Sequence, residues 1–386
     1  MIRRSKGSWS LILYLGRDPV TGKKRQKCVT FRGTQKAAER ELNRRVREVD
    51  AGVYVESGRI TVVEFLKKWL ESIKANIGAK THERYTGVVN GHLIPVLGAL
   101  PRGKLQPFHI QEAYAKWQAA GFRKDQRKGV LSPQIVLHHH RILRTALHAA
   151  VKWQLLSRNP ADALTPPRVP FKEFTVMDES HTAWLLDALG GTKLHVPVVL
   201  AVCAGMRRGE VLALKWSDVD LTLGNLVVRR SLSQTKAGID FKEPKSRKGH
   251  RVISLPSMAV DILQAHLGIQ NTRKVELGDA WRDLGLVCPG DGGSMWPPNR
   301  LSEEFAYLVR SRKLERIRFH DLRHSHASQL LRAGASPKVI SERLGHSKVR
   351  FTLDTYAHLL PGVQDEAAAQ IDARLRAALE QARQIQ

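Results

Sequence analysis

The chain is poor in three things, and each shortage excludes a class. It has 3 cysteines, Cys28, Cys203 and Cys288, odd in number and far apart. That rules out a disulfide-stapled scaffold and a cysteine-built metal centre, and it suits a reducing compartment. No apolar run approaches the roughly 20 residues of a membrane span, and the basic start Met1-Ile2-Arg3-Arg4 leads into no signal-peptide core. Acidic residues are also scarce: 36 Asp and Glu face 63 Lys and Arg, for a net charge of +27 and a pI near 10.4. Such a field attracts polyanions, and nucleic acid is the partner it suits best.

The excess is not even. Residues 1–56 carry 14 basic and 6 acidic side chains (+8), and residues 57–170 carry 18 and 6 (+12). The remaining 31 and 24 (+7) are spread over residues 171–386, so the charge is densest in the first 170 residues. At 386 residues the chain exceeds what one hydrophobic core usually serves. Binding modules ahead of a more ordinary domain are the expected arrangement.

Hydropathy patterning divides the chain further. From Ser8 to Leu15 the β-branched and aromatic content predicts a strand, and the turn cluster Gly16 to Gly22 precedes a second from Lys24 to Phe31. Lys27, Val29 and Phe31 fall on one side of that strand, Cys28 and Thr30 on the other. Thr34 caps a helix running to about Val49. Lys23, Lys24, Arg25 and Lys27 make this sheet a candidate β-ribbon for a DNA groove, although a solvated sheet face has the same composition.

Four helical stretches follow. The first opens on Thr61 with Glu64 at capping-box spacing; the others cover His82–Leu97 (interrupted by Pro95), Ile110–Ala120 and Ser132–Leu156. Lys80, Arg84, Arg123, Lys124, Arg127, Lys128, Arg141 and Arg144 lie on their connections and exposed faces and are candidate DNA contacts. His138, His139 and His140 point to different helix faces, cannot chelate one ion together, and read as surface and groove residues. Residues 164–174, with three prolines and no periodicity, read as a linker. Beyond them, residues 175–386 are mainly helical with a small β insertion at Leu226–Ser231 and His250–Leu255. The expected fold is therefore α+β and multidomain: 1–56 a β-sheet plus helix, 57–163 a four-helix bundle, 164–174 a linker, and 175–386 a mainly α domain with a β-sheet insertion.

Four motifs in the last domain carry chemistry. His320 and Arg323 stand three residues apart before an apolar helical run, so an imidazole and a guanidinium fork share one face. Arg207 follows Gly205-Met206 at a junction between two apolar helices. Lys245 sits in a basic turn, Phe241 to Arg251, between two strands. His346 lies in Leu344-Gly345-His346-Ser347, ten residues before Tyr356, a candidate nucleophile whose attack at neutral pH needs cations or a base to stabilise the phenolate. Each alone has a bland explanation: a solvated basic helix, an arginine paired with Glu210 or Asp218, a charged turn, a packing tyrosine. His320 and His324 have the i, i+4 spacing of zinc helices, but Asp321 and Leu322 replace the usual glutamate pattern and no third ligand is evident, so no metal is expected.

In order, these motifs resemble the tyrosine recombinase (phage integrase) family along nearly the whole chain. The resemblance implies a SAM-like core-binding bundle at 57–163, an arm-type DNA-binding domain like that of lambda-type integrases at 1–56, and a catalytic domain at 175–386 with a C-terminal tail helix. It assigns Arg207, Lys245, His320, Arg323, His346 and the nucleophile Tyr356 as catalytic, with no cofactor. It implies integration, with excision as a further activity, through a 3′-phosphotyrosine, without ATP or metal. Double-stranded DNA attachment sites, a homotetramer in the synaptic complex and an accessory bending or excision factor are the implied partners. The implied location is the cytoplasm of a bacterial host, at its nucleoid. A type IB topoisomerase-like strand transferase shares the chemistry, and a DNA-binding relative without catalysis shares the fold. The tail from Gln364, with Ile371, Leu375 and Leu379 at helical spacing, wants a partner surface, either its own domain or, as the family suggests, a neighbouring protomer.

Overall fold

The computed structural model of the chain describes residues 1–17, 21–50, 60–119, 130–170, 175–243, 249–356 and 363–384. They form two units, Met1–Phe171 and Lys172–Gln386, a division that falls within the proline-rich stretch.

The first unit opens with an antiparallel sheet of β1 (Ile2–Ser5), β2 (Ser8–Arg17) and β3 (Lys24–Arg32), followed by α1 (Gln35–Asp50). Leu11 and Leu13 are buried while Ile12 and Tyr14 are exposed, the alternation of a sheet covered on one face. Thr34 accepts a hydrogen bond from the Ala37 amide, which starts α1. In the β2–β3 register Lys27 lies opposite Leu13 and Val29 opposite Leu11, so Lys27 belongs to the packed face and is half-buried. Lys23 and Lys24 are exposed, and Arg25 lies on β3 with its side chain outside the described residues.

The helices that follow are α2 (Val62–Ile73), α3 (Ala79–Val88), α4 (Ile94–Leu97), α5 (Pro107–Gln118) and α6 (Pro133–Lys152). Thr61 and Glu64 close a reciprocal capping box at the start of α2. Pro95 does not interrupt its helix as a break. A π turn at Val89–Leu93 joins α3 to α4, and that wider turn accommodates the missing proline N–H. The core is aromatic: Phe65, Trp69, Tyr114 and Trp117 are buried with Ile110, Leu143 and Leu147. The triple histidine corrects the expectation of a surface run. His139 packs edge-on against Trp117 at 5.0 Å, and His140 Nδ1 pairs with the Tyr114 hydroxyl at 2.5 Å; both are buried. A helix face that must close over two large aromatic rings leaves these imidazoles no route to water.

The second unit comprises α7 (Glu179–Ala188), α8 (His195–Ala204), α9 (Arg208–Ala213), β4 (Val219–Asp220), β5 (Asn225–Val228), β6 (Ser231–Thr235), β7 (Gly238–Lys242), β8 (Arg251–Ser254), α10 (Ser257–Leu277), α11 (Pro298–Ser311), α12 (Asp321–Arg332), α13 (Pro337–Leu344), α14 (Val349–Tyr356) and α15 (Val363–Gln384). The insertion is larger than the sequence suggests. It makes a three-stranded sheet β4-β5-β8 and a separate hairpin β6-β7, because the chain leaves the first sheet after Val228 instead of continuing to Ser231. Helix α8 is apolar on all sides, with Val196 through Val202 buried, and serves as the central helix of the core. It stops at Gly205, whose φ of +62° is left-handed. A Cβ at Gly205 would meet His326 Cδ2 at 2.5 Å and Leu344 Cδ2 at 2.8 Å, so only glycine lets α12 and α13 close on this turn. Among the described residues no helix is long and apolar enough to cross a membrane.

Candidate active site

The turn after Gly205 extends through Met206 and makes Arg207 the N-cap of α9. Glu210 holds it from within the helix: its carboxylate accepts from the Arg207 amide at 2.9 Å and from the guanidinium at 2.7 Å. The second guanidinium nitrogen of Arg207 donates to the Gly345 carbonyl at 3.2 Å, and the side chain stays open to solvent. Arg208 turns elsewhere, donating to Ser302 on α11 at 2.6 Å. The neighbouring arginines thus face different partners, and Arg207 is the one in the site.

Behind Arg207 lies a buried pair. Arg251, at the start of β8, donates to Glu210 at 2.8 Å and 3.3 Å and to the Arg343 carbonyl at 2.7 Å. Burial alone pushes the Glu210 carboxyl upward, but hydrogen bonds and charge from Arg251, with the charge of Arg207, hold it at about 2. One carboxylate therefore orients one open arginine and neutralises one closed arginine. In the sequence Arg251 appears only as the end of the basic turn; its signal, an arginine beginning a buried strand, has no distinctive spacing.

Helix α12 supplies the facing wall. Asp321 accepts from the Arg318 amide and guanidinium, which fixes the first turn. Arg323, 3% exposed, donates to the Gly205 and Leu344 carbonyls, each at 2.5 Å. Burial, and then the charge of Arg207, pull its pKa down to about 9, so it remains a cation at neutral pH with an incompletely neutralised charge. Arg323 and Arg207 thus donate to consecutive carbonyls, Leu344 and Gly345.

His346 follows directly, buried, with Nδ1 2.8 Å from the Thr352 hydroxyl. Burial and the charges of Arg323, Arg207 and Arg251 lower its pKa to about 3, so its ring is neutral. His320 is exposed at the N-terminus of α12, yet the surrounding protein atoms and the Arg323 charge lower its pKa as well. Tyr356 ends α14 with 2% exposure; burial raises its pKa to about 12 against the opposing pull of Arg323. Its hydroxyl pairs with His324 Nδ1 at 2.7 Å. In the sequence His324 enters only through its i, i+4 spacing from His320; that spacing and its place next to Arg323 are the available signal.

Five of the six candidates, Arg207, His320, Arg323, His346 and Tyr356, therefore meet at one place. Lys245 lies outside the described residues, between β7 and β8. No cluster of three metal-ligating side chains occurs among the described residues. What the arrangement can do is receive an anion between two guanidinium forks beside a neutral imidazole, with a phenol close by.

The buried histidines make a pH prediction. His326 and His346 are each held at about 3, and His324 at about 4, mainly by burial. Unfolded, each takes up a proton near 6.5, so the unfolded chain binds more protons below that value. Stability is full above pH about 6.5 and falls as pH drops toward the folded values, by up to roughly 1.4 kcal/mol per unit for each histidine. Thermal melts at pH 7.5 and 5.5 should show the second unit melting lower at 5.5; equal midpoints contradict this.

The basic residues of the first unit divide. Arg84 on α3 and Arg141 on α6 are both exposed, and both act on His138, whose pKa falls through burial and then their charges. They therefore share one face. Lys80 and Arg144 are exposed but paired, with Glu83 and Asp162. Arg123, Lys124, Arg127 and Lys128 lie outside the described residues.

Comparison with known proteins bears on the family and the fold. Residues 176–362 match the Phage integrase family, and residues 61–118 match the phage integrase N-terminal SAM-like domain. The chain is 24% identical to a tyrosine recombinase XerC-like protein of Caldanaerobacter subterraneus subsp. tengcongensis, covering 93% of this chain and 94% of that one. It is 25% identical to the ICEBs1 integrase of Bacillus subtilis, covering 95% and 97%. Its fold is similar to that of the Tn1549 transposon integrase in complex with a circular intermediate DNA, at TM-score 0.65 and 19% identity over 81% of this chain and 99% of that one. A lambda integrase dimer bound to a core site is similar at TM-score 0.56 and 18% identity, over 91% and 93%.

Proposed function

The chain belongs to the phage integrase family and is a tyrosine site-specific recombinase, and from that premise we propose how its residues cut and rejoin DNA. Tyr356 attacks a phosphodiester to form a 3′-phosphotyrosine and release a 5′-hydroxyl. Arg207 and Arg323 stabilise the charge that grows on the non-bridging oxygens, and each well-placed donor is worth about 3–4 kcal/mol. His346 donates a hydrogen bond to the same phosphate, Lys245 protonates the leaving 5′-oxygen, and His320 assists proton movement. Bond energy stays in the phosphotyrosine, so neither ATP nor metal enters the scheme. The observation that carries this reading is the pair of arginines on consecutive carbonyls, Leu344 and Gly345, with Tyr356 within electrostatic reach of Arg323.

Residues 1–56 act as an arm-type DNA-binding domain, 57–163 as the core-binding domain, 164–174 as the linker and 175–386 as the catalytic domain. The two matched segments, 61–118 and 176–362, each fall inside one of these ranges. Lys23, Lys24, Arg84 and Arg141 are the exposed cations best placed to meet DNA phosphates. The reaction integrates, and in reverse excises, a phage or mobile element in the bacterial cytoplasm, where an accessory factor bends the DNA. The test is to incubate the full chain with a random-sequence library of nicked duplexes, trap covalent adducts and sequence the attached ends. A defined site with the protein on the 3′ end is expected; adducts on the 5′ end overturn the scheme.

The working form is a homotetramer held by the tail. Ile371, Leu375 and Leu379 on α15 are 59–60% exposed, an apolar stripe that a neighbouring protomer can cover. A lambda integrase tetramer bound to a Holliday junction is similar in fold at TM-score 0.53. Deleting residues 363–386 should weaken synapsis of two DNAs more than binding to one site, measured by gel shift; equal loss of both contradicts docking in trans.

A further inference from the structure

We infer that His324 accepts the phenolic proton of Tyr356 during cleavage, with His320, which assists proton movement, one ring further out. This deepens the reading of Tyr356 as the nucleophile and rests on it. A proton acceptor must lie within hydrogen-bond reach of the proton it takes. His324 Nδ1 is 2.7 Å from the Tyr356 hydroxyl oxygen, with the two rings 5.7 Å apart. His320 packs edge-on against His324, at 5.1 Å between centroids and 84° between planes, and is itself exposed. The order from the nucleophile outward is therefore Tyr356, His324, His320, solvent. One turn of α12 sets this order: residues four apart share a face, and α14 brings the tyrosine to the inner of the two rings.

The groups around His324 keep it able to accept. Burial, then His320, lower its pKa to about 4 against the opposing effect of Asp321, with Arg323 and Arg318 lowering it further. From the opposite side it faces Tyr356 on α14, and it acts electrostatically on His346. At neutral pH the ring is neutral, and in the tautomer that carries its proton on Nε2 the Nδ1 accepts the hydrogen bond from the phenol. Transfer at rest is unfavourable, because the phenol is held near 12. The proton moves only as the tyrosine oxygen bonds to phosphorus and loses its basicity.

The step balances within the site. The Tyr356 O–H bond breaks and its proton passes to His324 Nδ1. The freed oxygen pair forms the bond to phosphorus. The bond from phosphorus to the 5′-oxygen breaks, and that oxygen takes a proton from Lys245. Rejoining reverses each transfer, so His324 returns its proton to the departing phenolate and no further reactant is consumed.

The test uses the full chain and the nicked duplex recovered by adduct sequencing, in single-turnover cleavage. His324→Asn places a carboxamide where it can still hold the hydrogen bond but cannot take a proton; His324→Ala removes both. Both are expected to bind DNA and to cleave about 10²–10⁴-fold more slowly; His324→Asn should melt like the parent and His324→Ala slightly lower. A duplex with bridging sulfur at the 5′ position, whose thiolate leaves without a proton, should leave both variants slow. Cleavage by His324→Asn within threefold of the parent shows that the contact only positions the tyrosine, and overturns the inference. So does recovery of either variant on the sulfur duplex, which places the defect at the leaving oxygen. If the parent chain forms no adduct, the nucleophile assignment itself fails, and that outcome is separate from the others.

Discussion

Replacing Tyr356 by phenylalanine should abolish covalent protein–DNA adducts while leaving specific DNA binding intact. The ring stays: Tyr356 is 2% exposed in a small cluster with Ala327, Leu331, Ile340 and Leu344, and phenylalanine fills the same volume. The lost group is the hydroxyl paired with His324. Removing one such neutral hydrogen bond costs about 1 kcal/mol, so the variant folds. Loss of a nucleophile acting as part of a unit lowers turnover by on the order of 10⁶-fold. Denaturing gels after incubation with the cleavable duplex, beside gel shifts on the same DNA, separate the two effects. Adducts that persist in the variant would mean that another residue attacks.

Glu210→Ala should cost both stability and catalysis. The Glu210 and Arg251 side chains are each 6% exposed, and alanine leaves the Arg251 guanidinium buried without its counter-ion. Breaking one partner of a buried pair costs about 3–5 kcal/mol. The Arg343 carbonyl still accepts from Arg251, but a carbonyl does not neutralise a charge. Arg207 loses its orienting carboxylate at the same time, so cleavage should fall further than unfolding explains, by about 10²-fold or more. Urea titration reads the first effect and single-turnover cleavage at low temperature the second. Glu210→Gln keeps the shape and part of the hydrogen bonding, so it should lose less stability than Glu210→Ala. A Glu210→Ala chain whose stability stays within about 1 kcal/mol of the parent, the size of one ordinary hydrogen bond, would show that the pair does not hold this corner.

What the sequence disclosed followed from local rules. Thr61 and Glu64 announced α2 through cap spacing, and the second strand showed its two faces because sheet side chains alternate. What it hid depended on partners distant in the chain. Nothing in His139 and His140 signals that Trp117 and Tyr114 wait opposite them. Pro95 looks like a break unless the wide π turn before it is known. In the site, residue types and order pointed to Arg207, His320, Arg323, His346 and Tyr356. The contacts that set their geometry are Gly205 against His326 and Leu344, Glu210 with Arg251, and His324 with Tyr356. They join positions far apart in the chain, where no periodicity operates. A motif names chemistry; it does not say which of two adjacent imidazoles meets the phenol.

The spacing between Tyr356 and α15 sets a limit on the assembled enzyme. Helix α14 ends on the tyrosine, and α15 begins at Val363, seven residues later. Seven peptide steps reach at most about 25 Å even when drawn straight. Wherever the tail helix settles, its first residue lies within that radius of the end of α14, and any tension on the tail is felt there. A neighbour that gripped the tail, as proposed above, would hold a short tether on Tyr356. Lengthening the connection by flexible residues would loosen the dependence of cutting on assembly while leaving every side chain of the site unchanged.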